Sequence, residues 1–379
     1  MRIAFHTPLN LFSDGGISGD RRMARQLVAA LESLGHTVEP VKGRRDYLRT
    51  PDLESLAQHQ SEAATLRDNL LTGWREGHAA PDLWFTYHNY YRAPDLLGPD
   101  IVAQLGIPYV VAEASDALRR AEGEWAPHTA IVRRGIDATD LHLYFTDRDR
   151  EGLEAWRSEH TALLELPPFI AFDKTPTQRQ GSAATPRLVT IAMMRAGTKQ
   201  NSYLTLARIL AHLTDRSWTL SIVGDGRQRR EIENAFAEFP PGRIHWCGSL
   251  DHASAMAKLA AHDVFVWPGM REAYGLVYLE AQAIGLPVVA FDSGGVSATV
   301  KRGETALLAP EGDEAGMAAA LAQLLDDPAR RETMGAAARD FALNERTPER
   351  AAAILNRGLA IACKNRRARL ALATSVAAP

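Results

Sequence analysis

VFVWPGMREAYGLVYLEAQAIGLPVVAFDSGG, residues 264–295, reads as a strand, a loop, a helix, a second strand and a glycine turn. A strand, a helix and another strand in so short a span form a βαβ unit, whose two strands lie parallel. Open parallel sheets take ligands beyond the carboxyl ends of their strands, and PGMREAYG, residues 268–275, lies at such an end. Glu272 stands in that loop, and Glu280 follows eight residues later on a helix that opens near Gly275. The unbonded N–H groups of Leu276 and Val277 in the first turn make a phosphate site. At a rise of about 1.5 Å per residue, Glu280 stands about 7 to 8 Å along the axis, roughly one sugar ring from that phosphate. Carboxylates accept hydrogen bonds from vicinal hydroxyls, so a pair flanking a phosphate suits a ribose on one side and a hexose on the other. The arrangement fits a nucleotide sugar; the plain alternative is a loop-capping Glu272 and a solvated Glu280.

The same alternation of strand and helix extends both ways. The chain has 379 residues, a length that points to two domains. Its 46% hydrophobic and 23% charged residues describe an ordinary packed globule. A net charge of −3 gives no bulk attraction to nucleic acid or anionic lipid, so no nucleic-acid partner is expected. Two cysteines, Cys247 and Cys363, are too few for a disulfide framework or an all-thiolate zinc site, and no metal site is expected. The start MRIAFHTPLN has no apolar secretory core, and no segment approaches eighteen unbroken apolar residues, so the expected location is cytoplasmic. Strands are expected at residues 2–6, in PDLWFTYH, IPYVVAEA and LHLYFTD, then in RLVTIAM, WTLSIVG, RIHWCG, HDVFVWP and LPVVAFD. Residues 167–187, PPFIAFDKTPTQRQGSAATPR, have the composition of a connection. The expected division is 1–170, an acceptor-side domain, 171–355, a nucleotide-sugar domain, and a helical tail, 356–379.

With Glu272 and Glu280 at this spacing, the second half resembles the retaining glycosyltransferases of family 4. The resemblance implies the GT-B fold: two Rossmann-like α/β domains with parallel sheets facing across a cleft. It also implies that Glu272 meets the donor sugar hydroxyls and Glu280 the ribose. MMRAGTKQNSYLTL looks like the family's phosphate clamp, with Arg195 and Lys199 four residues apart at the end of a strand. Two fixed cations would stabilise the charge that grows on a leaving diphosphate, without a metal. SIVGDGRQRREIE looks like the family's Gly-Asp-Gly turn, with Gly224 in the donor site, and IHWCGSLDH is similar to the segment whose backbone reads the base, at Ser249 and Leu250. Read without the family, these are surface charges and an ordinary turn. The resemblance implies no cofactor beyond the nucleotide diphosphate sugar, and an acceptor that is a polysaccharide, a lipid-linked glycan or a small molecule.

The first half departs from the family. Where many members have a histidine after a Gly-Ile-Pro segment, GIPYVVAEAS has Glu113. Nearby, YHNYYR offers His88 at another strand end. His88 is expected to contact the acceptor or the transferred sugar, and Glu113 to act as an acceptor-side base or hydrogen-bond partner; each also has a plain structural reading. GGVSATV has Ala298 where the family often has glutamate. In SDGGISGD, Gly15 and Gly16 allow the backbone to approach a phosphate or an acceptor. The competing reading is a dinucleotide fingerprint and an NAD-dependent oxidoreductase, with Glu39 on the ribose, but Asp14 holds the place of the first glycine. A non-catalytic binding protein of the same fold is the third reading. In the tail, Lys364, Arg366, Arg367 and Arg369 alternate with Ile361, Leu370 and Leu372. Such a helix either lies peripherally on an anionic membrane or packs back across the first domain.

Overall fold

The computed structural model describes residues 1–12, 18–42, 45–179, 181 and 185–376. In the first unit the strands are β1 (Arg2–His6), β2 (Thr37–Pro40), β3 (Leu83–Asn89), β4 (Tyr109–Ala114), β5 (Leu141–Tyr144) and β6 (Ala162–Glu165). Between them run α1 (Gly19–Ser33), α2 (Leu53–Arg75), α3 (Gly98–Leu105), α4 (Ala126–Ala138) and α5 (Asp147–Glu154). The strands form one parallel sheet in the order β2-β1-β3-β4-β5-β6. β3, LWFTYHN, is buried along its whole length, as a central strand covered on both faces must be. The chain runs outward from β1 to β2 and returns on the other side at β3, so the strand order reverses between β1 and β3.

The second unit, Pro168–Thr347, repeats the plan. Its strands are β7 (Arg187–Ile191), β8 (Thr219–Val223), β9 (Ile244–Gly248), β10 (Val264–Val266), β11 (Val288–Asp292) and β12 (Ala306–Pro310). Its helices are α6 (Thr198–Ala211), α7 (Arg229–Ala235), α8 (His252–Ala260), α9 (Leu276–Ile284), α10 (Glu314–Asp326) and α11 (Pro328–Asp340). The order β12-β11-β10-β7-β8-β9 reverses between β7 and β10. Trp218, Trp267, Tyr203 and Tyr278 fill its core with the branched residues of β10 and β11. The expected fold class, two α/β units on parallel sheets, is the one observed. The described stretch 167–179 of the connection is packed against the second unit. Phe169 and Ile170 are buried, and Arg179 pairs with the buried Asp263 at 3.4 Å and with Glu332 at 2.7 Å.

The chain then returns to the first unit as α12 (Pro348–Val376), one uninterrupted helix. It starts ahead of the expected tail, at Pro348 instead of residue 356, because Ala351, Ala352, Leu355, Leu359 and Ala362 are already on its buried face. Gly358 lies against β5 and β6, where a Cβ would come 2.8 Å from Leu141. The tail's basic character is partly spent here. Arg366 donates to the fully buried Asp140 at 2.9 Å, and Arg369 pairs with the same carboxylate at 3.3 Å and caps the carbonyls of Asp137 and Thr139. Two of the four cations therefore serve the first unit; Lys364 and Arg367 remain exposed beside Leu370 and Leu372. Burial pushes the Asp140 carboxyl up, against the pull of Arg366 and Arg369. Arg366→Ala is expected to destabilise the first unit by about 3 kcal/mol, because it removes one side of a buried pair. Urea unfolding read by tryptophan fluorescence checks this; an unchanged midpoint would mean that Arg369 alone suffices. Among the described residues, no helix is long and apolar enough to cross a membrane.

Candidate functional site

In the second unit the loops after β7 and β10, the two strands that flank the reversal, carry Arg195 and Glu272 and lead into the helices of Lys199 and Glu280. Helices α6 and α9 start there on Gly197, φ 87°, and Gly275, φ 76°, and neither has a side-chain cap. Both left-handed starts need glycine, and both leave first-turn N–H groups open to an anion. Lys199 lies on the first turn of α6 and Glu272 in the loop before α9, and Lys199 Nζ donates directly to Glu272 Oε2. This contact ties the two loops across the reversal. Lys199 Nζ also stands 5.7 Å from the Trp267 ring centre. Arg195, in the loop before α6, is exposed and has no carboxylate partner among the described residues.

Beyond the contact with Lys199, the Glu272 loop is held largely through its main chain. Glu272 N donates to Gly269 O at 3.1 Å, and Gly295 N donates to Glu272 O at 2.9 Å. Met270 N donates to Ser202 Oγ at 3.1 Å and Arg271 N to Ser293 Oγ at 2.7 Å. Arg271 adopts φ 52°, a left-handed conformation that a non-glycine residue keeps only when its surroundings fix it. A Cβ on Gly275 would come 2.8 Å from the Tyr278 ring and 3.1 Å from Glu272 Cγ, so the glycine lets loop and helix pack closely. Leu276 and Val277 follow on α9, and one helical turn later Glu280 Oε1 accepts from His252 Nε2 at 3.0 Å. His252 opens α8, directly after the Ser249–Leu250 segment that leaves β9; Ser249 is exposed and Leu250 half-buried. Sequence reasoning missed His252, because no local signal shows that α8 and α9 meet.

Gly224 and Gly226 sit at φ 146° and 153°, where a Cβ would collide with the carbonyls of Ala192 and Met194. The turn therefore supports the loop that carries Arg195, and Met194 N donates to Asp225 O at 3.0 Å.

In the first unit, His88 is the next-to-last residue of β3 and Glu113 that of β4, on neighbouring strands. Their backbones adopt φ 75° and 55°; with Arg271 these are the three non-glycine residues at positive φ among the described residues. His88 Nδ1 lies 3.6 Å from Glu113 Oε2, and His88 Nε2 lies 4.0 Å from Asp20 Oδ1 on α1. Neither His88 Nε2 nor Glu113 Oε2 has a hydrogen-bond partner among the described residues. Burial drives the His88 pKa down to about 4, against Asp20. Burial, with the charges of Asp20 and Asp149, pushes the Glu113 carboxyl well above the usual range. At neutral pH the pair is thus a neutral imidazole facing a carboxyl that holds its proton far longer than usual. Thr7, Asp20, Arg21, Tyr87 and His88 line a small pocket at this edge. Gly15 and Gly16 lie outside the described residues. Glu39, the acid of the dinucleotide reading, is paired with Arg2 at 2.9 Å.

His88 has a consequence for stability. Its unfolded-state pKa is near 6.5 and its folded value about 4, so between those values the unfolded chain binds the extra proton. Stability therefore falls as pH drops from 6.5 to 4, by up to about 1.4 kcal/mol per pH unit for one group. His88→Gln is expected to shallow that acid limb in urea titrations at pH 7, 6 and 5; an unchanged slope would assign the acid sensitivity to the other histidines that burial lowers to about 4, His142 and His262.

Residues 185–327 match the family model described as Glycosyl transferases group 1. A GDP-mannose-dependent monoacylated alpha-(1-6)-phosphatidylinositol monomannoside mannosyltransferase of Corynebacterium glutamicum is 33% identical over 174 residues, 44% of this chain and 42% of the relative. The glycogen synthase of Mycobacterium tuberculosis is 38% identical over 122 residues, 32% of this chain and 30% of that protein. The chain thus spans less than half the length of either. Over nearly the whole chain, two solved structures share the fold. Sucrose-phosphate synthase from Thermosynechococcus elongatus gives a TM-score of 0.72 at 20% identity, covering 94% of this chain and 97% of its own. Anabaena HepE in complex with UDP gives 0.71 at 16% identity, covering 95% and 100%.

Proposed function

We propose that this chain, whose residues 185–327 are a glycosyl transferases group 1 domain and whose fold is GT-B, moves a sugar from a nucleotide diphosphate sugar to an acceptor hydroxyl. The observation that carries the reading is the Lys199–Glu272 contact between two uncapped helix starts at the reversal of the sheet. An anion fits there, and so does a hydroxylated ring beside it. In the proposed complex the diphosphate lies on the N–H groups of Leu276 and Val277. It draws Lys199 from Glu272, and Arg195 closes on it from the neighbouring loop. Glu272 is then free to accept hydrogen bonds from the sugar. Glu280 takes the ribose, and the Ser249–Leu250 backbone borders the base.

The bond between the anomeric carbon and the diphosphate oxygen breaks while the acceptor oxygen bonds to that carbon on the same face. The departing diphosphate oxygen takes the acceptor proton, so configuration is retained. Negative charge grows on the diphosphate, where Arg195, Lys199 and the helix N-terminus stabilise it most in the transition state; these cations do the work that a divalent metal does elsewhere. His88 and Glu113 belong to the acceptor side in this reading. The acceptor is a polysaccharide, a lipid-linked glycan or a small molecule, met in the cytoplasm; exposed Lys364, Arg367, Leu370 and Leu372 would supply any peripheral membrane contact.

The test is the shift in melting temperature with UDP, GDP, ADP, their sugar conjugates and NAD. A ligand at a hundred times its Kd stabilises the fold by about 2.7 kcal/mol. One nucleotide sugar is expected to raise the melting temperature of the wild type and not of Glu280→Ala. A shift with NAD alone would sink the transferase reading.

A further inference from the structure

Tyr91 follows β3 on the edge that carries His88, and two guanidiniums lie against its ring. Arg92 stands 5.6 Å and Arg120 5.3 Å from the ring centre. Arg92 also lies 5.7 Å from the centre of the Trp125 ring, which meets Tyr91 edge to face at 4.8 Å. Neither arginine has a carboxylate partner among the described residues, and Arg92 Nε is buried with no acceptor. Asp95, the nearest acid in sequence to Arg92, is taken up by Thr86 and Tyr109, and Asp116, near Arg120, pairs with Arg133 at 3.1 Å. The backbones that carry both cations are anchored, and the rings place their guanidiniums. Arg92 O accepts from Leu48 N at 2.7 Å, and Arg120 O accepts from Thr129 Oγ1 at 2.9 Å.

Two like charges fixed on one aromatic ring, with donors unspent, are arranged for an anion. Planar guanidinium forks match phosphate oxygens two at a time, and aromatic faces pre-orient them without competing for their N–H groups. The position fits an acceptor. From His88 to Tyr90 the ring centres are 6.3 Å apart, and from Tyr90 to Tyr91 they are 5.7 Å apart. The row of rings from His88 through Tyr90 to Tyr91 therefore places the arginines on the same edge as the histidine.

We propose that Arg92 and Arg120 bind a phosphate group of the acceptor over Tyr91, so that the acceptor is a phosphorylated polyol whose reacting hydroxyl lies toward His88. The assignment rests on the transferase reading for the identity of this edge. The phosphate is borne either by a soluble sugar phosphate or by a lipid headgroup.

The full chain carrying Lys199→Ala, which weakens the donor phosphate site, is titrated calorimetrically with inorganic phosphate and with glucose 6-phosphate against glucose. Phosphate binding is expected to persist, and to weaken about tenfold or more when Arg92→Gln and Arg120→Gln are added. Arg92→Lys with Arg120→Lys retains the charge and is expected to fall between. Should the double glutamine variant not fold, as judged by circular dichroism, Arg120→Gln alone is compared. Co-sedimentation with vesicles of phosphatidic acid in phosphatidylcholine separates the sources. Sedimentation that the glutamine variant loses assigns a lipid-borne phosphate, and glucose 6-phosphate preference without sedimentation assigns a soluble one. Equal phosphate affinity with and without the two arginines overturns the proposal. Nucleoside diphosphate shifts on the otherwise wild-type protein are scored separately, so that loss of the donor reading and loss of this one are told apart.

Discussion

Lys199→Ala is expected to lower kcat for transfer by about 10²- to 10³-fold, the range for removing one preorganised group that meets developing charge. The lysine is placed by the first turn of α6 and held on Glu272. In the proposed complex its loss removes a cation from the diphosphate, and it leaves the loop of Glu272 without its side-chain contact to α6. Glu272→Ala is expected to cost a comparable factor. Because the two side chains touch, the double variant should lose much less than the product of the two effects. Initial rates with a radiolabelled donor, alongside melting curves that stay within a few degrees of wild type, check this. Near-normal rates in either single variant, or strictly multiplicative losses, would remove the pair from the transfer step.

Gly224→Ala is expected to cost stability rather than chemistry alone. At φ 146° an alanine is strained, and its Cβ collides with the Ala192 carbonyl, which is itself held by the Tyr203 hydroxyl at 2.6 Å. Strain and overpacking together are expected to destabilise the second unit by about 2 to 5 kcal/mol. Gly19→Ala is the control: it is helical, and a Cβ there meets nothing within 4 Å, so its expected change is under about 1 kcal/mol. Urea midpoints of the two variants decide the matter. Equal midpoints would mean that the loop after β7 yields without cost.

The alternation of strands and helices was legible because its signals are local. β3 opens on the large apolar residues Leu83, Trp84 and Phe85, α9 is bounded by Gly275 and Gly285, and both signals can be read within one element. Glu272, Glu280, Arg195 and Lys199 were legible as a spaced set, but the contact between Lys199 and Glu272 was not. It joins residues 73 apart through the order of strands in the sheet, which periodicity does not encode. The left-handed backbones of His88 and Glu113 were hidden for a different reason. Glycine announces such a conformation by its identity, whereas histidine and glutamate adopt it only under tertiary constraint. The connection at 167–187 was read from its average composition, and an average conceals that Phe169, Ile170 and Arg179 are each buried. The basic tail misled in the same way: a charge run shows that arginines are present, not that Asp140 awaits two of them inside the first unit.

The return of α12 sets an order of events at the ribosome. Residues 1–167 emerge first, yet the face of β4 to β6 stays uncovered and Asp140 stays unmatched until Arg366 and Arg369 have been translated. The second unit, continuous in sequence, is complete before that moment. Nascent chains therefore finish their folding in the reverse of the usual N-terminal-first sequence. A ribosome halted before α12 holds a finished second unit behind an unfinished first one, and premature termination there yields a protein with its apolar sheet face bare to chaperones and proteases.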